Sequence, residues 1–98
     1  AEETLKALTD ADKDKEIRQL GLVDAKGEVA NFTGKKCIEW AGAKSGKNYT
    51  CQGNLLTGKE VVDKMAEAYE AAKGPLTWRL MAALEAGEKA GGDKRGKQ

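Results

Sequence analysis

Asn48-Tyr49-Thr50-Cys51-Gln52-Gly53-Asn54-Leu55-Leu56-Thr57-Gly58 reads as a strand that leaves its sheet at a glycine and runs into a helix. Tyr, Thr and Cys suit a pleated, half-buried surface. Gly53 lets the backbone turn or approach another element closely. Thr57 and Glu60 stand at capping-box spacing, with the threonine oxygen placed to accept from the Glu60 N–H and the glutamate to reach back. Upstream, residues 17–24 read as a strand, Ala25-Lys26-Gly27 as a tight turn and residues 28–33 as the returning strand. Alternation places Leu20 and Leu22 on one face and Val23 on the other. A third strand is expected near Cys37-Ile38-Glu39-Trp40, with Trp40 in the core.

Gly42-Ala43-Lys44-Ser45-Gly46-Lys47-Asn48 has the flavour of a phosphate loop. It has one residue too few between its glycines, and Asn48 stands where Ser or Thr would hold magnesium, so a hairpin loop is expected and no nucleotide site. Beyond Gly58, Val61, Val62, Met65, Ala66, Tyr69 and Ala72 recur at helical spacing, while Lys59, Asp63, Lys64, Glu67 and Glu70 are placed for solvent. Gly74-Pro75 ends that helix and opens another, which carries Leu76, Leu80, Met81 and Leu84 on one stripe, Trp78 to its side and a stop at Gly87. Residues 1–12 read as the end of a helix with Leu5 and Leu8 on one side. Antiparallel strands over 17–54 followed by two helices over 58–87 predict an α+β fold. The polar, glycine-rich residues 88–98 read by composition as a disordered terminus.

Ninety-eight residues make one domain or part of one. Seventeen basic against sixteen acidic residues leave a net charge of +1, which argues against a dedicated nucleic-acid or membrane-surface binder. No apolar run approaches the roughly 20 residues of a membrane span. The chain has no histidine, which removes Ser-His and Cys-His nucleophile pairs and most catalytic zinc sites from it. Asp10-Ala11-Asp12-Lys13-Asp14 resembles the start of a calcium loop, but Lys15 occupies the glycine position and Gly21 that of the bidentate glutamate. It reads as a solvated connector, and no metal or cofactor is expected.

Cys37 and Cys51 lack CxxC spacing and fall on the two arms of the expected hairpin. A disulfide between them would close a short loop and contribute about 3 kcal/mol; the alternative is a pair of reduced, buried thiols. Asn31-Phe32-Thr33 and Asn48-Tyr49-Thr50 are glycosylation acceptor patterns. With the cysteine couple they favour an extracytoplasmic or secreted protein over a cytoplasmic one with two unmodified turns. No signal-peptide pattern is legible, and Ala1-Glu2-Glu3 fits what remains after processing.

Several blocks, in this order, resemble one family. They are residues 18–27 (Arg-Gln-Leu-Gly-Leu-Val-Asp-Ala-Lys-Gly), Thr33-Gly34, Cys37-Ile38-Glu39-Trp40-Ala41-Gly42, Gln52-Gly53-Asn54-Leu55-Leu56 and residues 91–98 (Gly-Gly-Asp-Lys-Arg-Gly-Lys-Gln). The family is the domain-of-unknown-function family numbered ten-twenty-eight, grouped with the N-terminal-nucleophile (Ntn) hydrolases. The resemblance implies a share of a four-layer αββα sandwich. It also implies amide cleavage by a chain's own first Ser, Thr or Cys, with the free α-amine as base, a chemistry that needs no histidine.

This chain departs from the pattern by beginning with Ala1. Family members carry strands upstream of the matched region and a core strand after Gln98. The expectation is the central and C-terminal part of a longer protein, not catalytic alone, whose sheet edges need another chain or segment, with homo-oligomerisation the simplest source. The resemblance turns residues 88–98 into an ordered pocket segment. It makes Asn54 a substrate-binding residue and oxyanion donor, with Asp93 and Arg95 orienting a substrate carboxylate or amine and Gln52 and Gln98 as weaker candidates. Opposed to this stand an Asn54 that bonds its own turn and an Asp93–Arg95 pair that only pins the tail. At the level of function, a portion of an Ntn-type hydrolase of small amide or peptide-like substrates stands against a non-enzymatic extracellular binding or self-assembly module.

Overall fold

The computed structural model describes residues 1–96. In chain order it contains α1 (Glu2–Asp10), a 3₁₀ turn (Lys15–Ile17), β1 (Gln19–Val23), β2 (Val29–Thr33), β3 (Gly42–Gly46), β4 (Tyr49–Gly53), α2 (Glu60–Ala71) and α3 (Leu76–Lys89). The α+β class expected from the sequence is the observed one.

β1 and β2 pair antiparallel from Gln19 with Thr33 to Val23 with Val29, and β3 and β4 from Gly42 with Gly53 to Gly46 with Tyr49. Asp24 closes the first hairpin: its Oδ1 accepts from the amides of Lys26 and Glu28, and Gly27 takes the φ of +83° that the turn requires. The two sheets stack. Gln19, Gly21, Asn31 and Thr33 face the second sheet, where Gln19 bonds the carbonyls of Gly42 and Gly53 and Asn31 bonds Ser45. Strand alternation then puts Leu20, Leu22, Ala30 and Phe32 on the outer face, where α1 packs against β2 and buries Leu5.

Across the second sheet, Tyr49 and Cys51 turn away from the seam and join Val62 and Ala66 of α2 in the main core, with Trp40, Leu56, Met65 and Tyr69 packed against it. The layers therefore run α1, β1–β2, β3–β4, α2–α3. The seam between the sheets is small and polar, and the apolar packing lies outside it on both sides.

Three sequence expectations are corrected. The third strand lies at Gly42–Gly46, inside the stretch read as a hairpin loop, and not near Cys37–Trp40. Its glycines are bare because rings occupy their faces: a Cβ at Gly42 would stand 2.6 Å from the Trp40 ring, and one at Gly46 would overlap the Tyr49 ring. Second, no Thr57–Glu60 capping box forms. α2 begins at Glu60 after Lys59, without a side-chain cap, because Thr57 is engaged elsewhere: its N–H donates to Gly92 O at 3.0 Å and its side chain packs on Gly91.

Third, Cys37 and Cys51 are not bonded and both are free. With no strand at 37–40, Cys37 is not on a hairpin arm opposite Cys51. Cys37 lies beside the start of β1, with its thiol on Arg18 O at 3.3 Å, whereas Cys51 faces α2.

Helix α3 also runs past its expected stop, to Lys89. Gly87 is buried against α2, where a Cβ would stand 2.9 Å from Met65 Cγ, so this glycine serves helix contact and not helix termination. Only Ala83 and Gly87 of α3 are buried, and Leu76, Trp78, Leu80, Met81 and Leu84 remain half-exposed or more. Among the described residues no helix is long and apolar enough to cross a membrane.

Candidate functional site

Residues 91–96, which composition reads as disorder, are built into the fold. Lys94 N–H donates to Leu55 O at 2.7 Å, Thr57 N–H to Gly92 O at 3.0 Å, and Leu56 forms a bridge with Asp93. From the other side, Leu55 N–H donates to Ile38 O at 2.8 Å, and Trp40 and Leu56 exchange two backbone bonds of 3.1 Å each. The Lys94 ammonium donates to Glu39 O. Residues 54–57 are thus held between 38–40 and 92–94. Leu55 sits there at φ +57°, a left-handed conformation that costs roughly 1–2 kcal/mol and persists because both flanks fix its amide and carbonyl.

Asn54 opens this junction. It does not close its own turn. Its Nδ2 donates to Gln19 Oε1 at 3.1 Å, while Gln19 Nε2 faces Thr33 Oγ1 at 3.0 Å, Gly53 O at 3.0 Å and Gly42 O at 3.2 Å. An asparagine amide has two N–H donors. The second, like Oδ1, has no partner among the described residues.

Asp93 and Arg95 come together as expected, but with each other. Arg95 Nε reaches Asp93 Oδ1 at 3.0 Å and Nη2 reaches Oδ2 at 2.7 Å, while the Arg95 amide donates to Oδ1 at 2.8 Å. The guanidinium, aided by that amide, draws the Asp93 carboxyl down to about 2. The pair acts as a strut that fixes the 91–96 turn. Gln52 is exposed at the seam, accepts from Thr50 Oγ1 at 3.3 Å and lies across Gly21. Gln98 lies outside the described residues.

Asn31 and Asn48 are apart from this junction. Asn31 Nδ2 donates to Ser45 Oγ at 2.9 Å within the seam, and Asn48, at φ +67° in the β3–β4 turn, lays its side chain on Gly27. Burial raises the Cys51 thiol, which keeps it protonated and makes it a packing residue. Among the described residues no three or more Cys, Asp or Glu side chains gather as a metal site. Asp12, the centre of the calcium-loop likeness, is held by Arg18 at 3.0 Å and by the Asp14 amide.

A second concavity, of about 460 Å³, runs along β4 and is mainly apolar, walled by Val23, Tyr49, Met65, Leu76, Leu80 and Leu84 and lined also by Thr50 and Gln52. Tyr49 donates its hydroxyl to Glu70, and burial together with that carboxylate pushes its pKa up to about 12. Arg79 lies over the Tyr69 ring at 4.1 Å.

Gln19 is the site residue that sequence reading missed. A glutamine at an inward position of a strand otherwise reading Leu-Gly-Leu is the signal that could have found it.

No curated protein matches the chain. The crystal structure of protein SPO2555 from Silicibacter pomeroyi is similar, with a TM-score of 0.88 and 33% identity over 92% of this chain. The chain spans only 40% of that protein's length. A match over residues 1–98 carries the last step: the chain belongs to the family of unknown function DUF1028.

Proposed function

We propose that this chain forms one wall of the substrate pocket of an Ntn-type amide hydrolase acting on small amide or peptide-like substrates, with nucleophile and base supplied by other segments of a longer protein. The observation that carries the reading is the second Asn54 Nδ2 N–H, without a partner among the described residues and anchored at a strand end beside the ordered 91–96 turn. The layer order α, β, β, α supports it, as does a seam whose polar groups suit a cleft between sheets.

In amide cleavage a hydroxyl or thiol attacks the carbonyl carbon, the α-amine takes its proton, and charge gathers on the carbonyl oxygen. A fixed Asn54 N–H would donate to that oxygen. Arg95 spends Nε and one Nη2 N–H on Asp93, which holds the turn in place, and its remaining donors would serve a substrate carboxylate. In the full-length protein, assayed on a panel of amino-acid p-nitroanilides, Asn54→Ala should lower kcat by roughly 100-fold or more, the usual loss for one oxyanion donor. An unchanged kcat would remove Asn54 from the site.

The second reading, a non-enzymatic self-assembly module, is favoured by one feature, the open apolar stripe on α3. It predicts no turnover of any substrate in the panel and association through that stripe.

A further inference from the structure

We propose that Gln19 is a positioning residue that fixes Asn54 as a hydrogen-bond donor, an inference that rests on the pocket reading of Asn54. Gly42 and Gly53 are partners in the β3–β4 ladder, and their carbonyls converge on one nitrogen, Gln19 Nε2, at 3.2 and 3.0 Å. Thr33 Oγ1 is a third acceptor at 3.0 Å. A carbonyl cannot donate, so the Gln19 amide has one allowed orientation; the flipped form would set its oxygen against two carbonyl oxygens.

With Nε2 thus committed, Oε1 must point the other way, and there it meets Asn54 Nδ2 at 3.1 Å. Asn54 in turn cannot flip, because that would face oxygen with oxygen. The backbone carbonyls of the second sheet therefore dictate, through one side chain of the first sheet, which end of the Asn54 amide is presented. The free N–H is held in the plane of that amide and is polarised by the bond its sister proton makes. A stabilising link between sheets would need only the bonds to Gly42, Gly53 and Thr33. The bond to Asn54 is the part that reaches the pocket.

The test uses the full-length protein and a double-mutant cycle with Gln19→Met, which keeps length and removes both polar ends, and Asn54→Ala. Gln19→Met should lower kcat about tenfold with KM changed less than about twofold, and should cost nothing more once Asn54 is alanine. An equal loss in both backgrounds overturns the positioning role and leaves the pocket reading standing. If Asn54→Ala alone changes nothing, the pocket reading falls, and the positioning role is decided without activity, by the side-chain amide signals of Asn54 in protein labelled with ¹⁵N-asparagine. One Nδ2 proton should be shifted and slow to exchange, and should lose both properties in Gln19→Met; an unchanged pair overturns the proposal.

Should Gln19→Met fail to fold, Gln19→Glu serves. Its protonated carboxyl can donate to the carbonyls and accept from Asn54, so the Asn54 signature should return as pH is lowered. If the signature is absent at every pH where this variant is folded, the proposal is wrong.

Discussion

Arg95 reaches Asp93 from two residues away with both Nε and Nη2, and its own amide closes the same carboxylate. The pair needs no distant partner, so its electrostatics belong to the 91–96 turn. Asp93 should titrate near 2 by carbon-detected NMR, and Arg95→Ala should raise it, though not fully to the ordinary carboxylate range, because the backbone amide at position 95 still donates to Oδ1. A depressed carboxyl stabilises the fold above its unfolded value near 4, and that contribution is lost as pH falls towards 2. Acid unfolding should therefore begin at higher pH in Arg95→Ala than in wild type. Tyr49 has the opposite sign: its pKa is raised to about 12, so its contribution is full below the usual value near 10 and is lost as pH climbs to 12. Absorbance titration should show it ionising well after an exposed tyrosine. At this scale Asn54 was singled out through the resemblance carried by the Gln52-Gly53-Asn54-Leu55-Leu56 block, not through its local pattern. Sequence reading did not reach Gln19, whose partners lie 14 to 35 residues away, two of the four being backbone carbonyls.

Among elements, the β1–β2 hairpin and helices α2 and α3 were legible because period and turn chemistry are local signals. β3 was not, since Gly-Ala-Lys-Ser-Gly carries no strand propensity and becomes a strand only when Trp40 and Tyr49 cover its glycines. The absent capping box has the same cause: Thr57 had two offers, and the bond to Gly92 closes a packed junction that the helix end alone cannot supply. Packing predictions follow from the two layers α2 joins. Val62 is fully buried, so Val62→Ala should cost about 2 kcal/mol in chemical denaturation, two carbons of burial plus part of a cavity. Gly21 sits under Thr50 and Gln52 of the facing sheet, and a Cβ there would stand 2.7 Å from Thr50 Cγ2. Thr50 is β-branched and cannot swing aside. Gly21→Ala should then lose roughly 1–3 kcal/mol, although alanine suits strands at least as well as glycine does. A gain in stability would show that the seam is looser than its geometry indicates.

The molecule as a whole places polar groups between its sheets and apolar groups outside them, which reverses the usual sandwich order. That arrangement is sound only if the outer faces are covered. α1 covers one, and α2 covers the second sheet, but α3, which meets α2 through Ala83, Gly87 and the Arg79 guanidinium over Tyr69, leaves its leucines more than half-exposed. Leu76, Leu80 and Leu84 stand at successive four-residue steps, 58, 51 and 60% exposed, with Trp78, 68% exposed, on another side of the helix. One continuous stripe of this kind exceeds the scattered exposed leucines that any surface carries. The long relative, of which this chain spans 40%, has ample further chain, but a second copy of the same stripe is the one occupant available to the 98-residue chain in solution. Sedimentation should therefore show concentration-dependent association, and Leu80→Glu with Leu84→Glu should abolish it by placing four like charges in an isologous contact. Because neither leucine is buried within the chain, the double variant should keep its melting temperature at low concentration. A wild-type chain that stays monomeric at hundreds of micromolar would refute self-association through α3. A double variant that unfolds would instead show that the stripe packs inward.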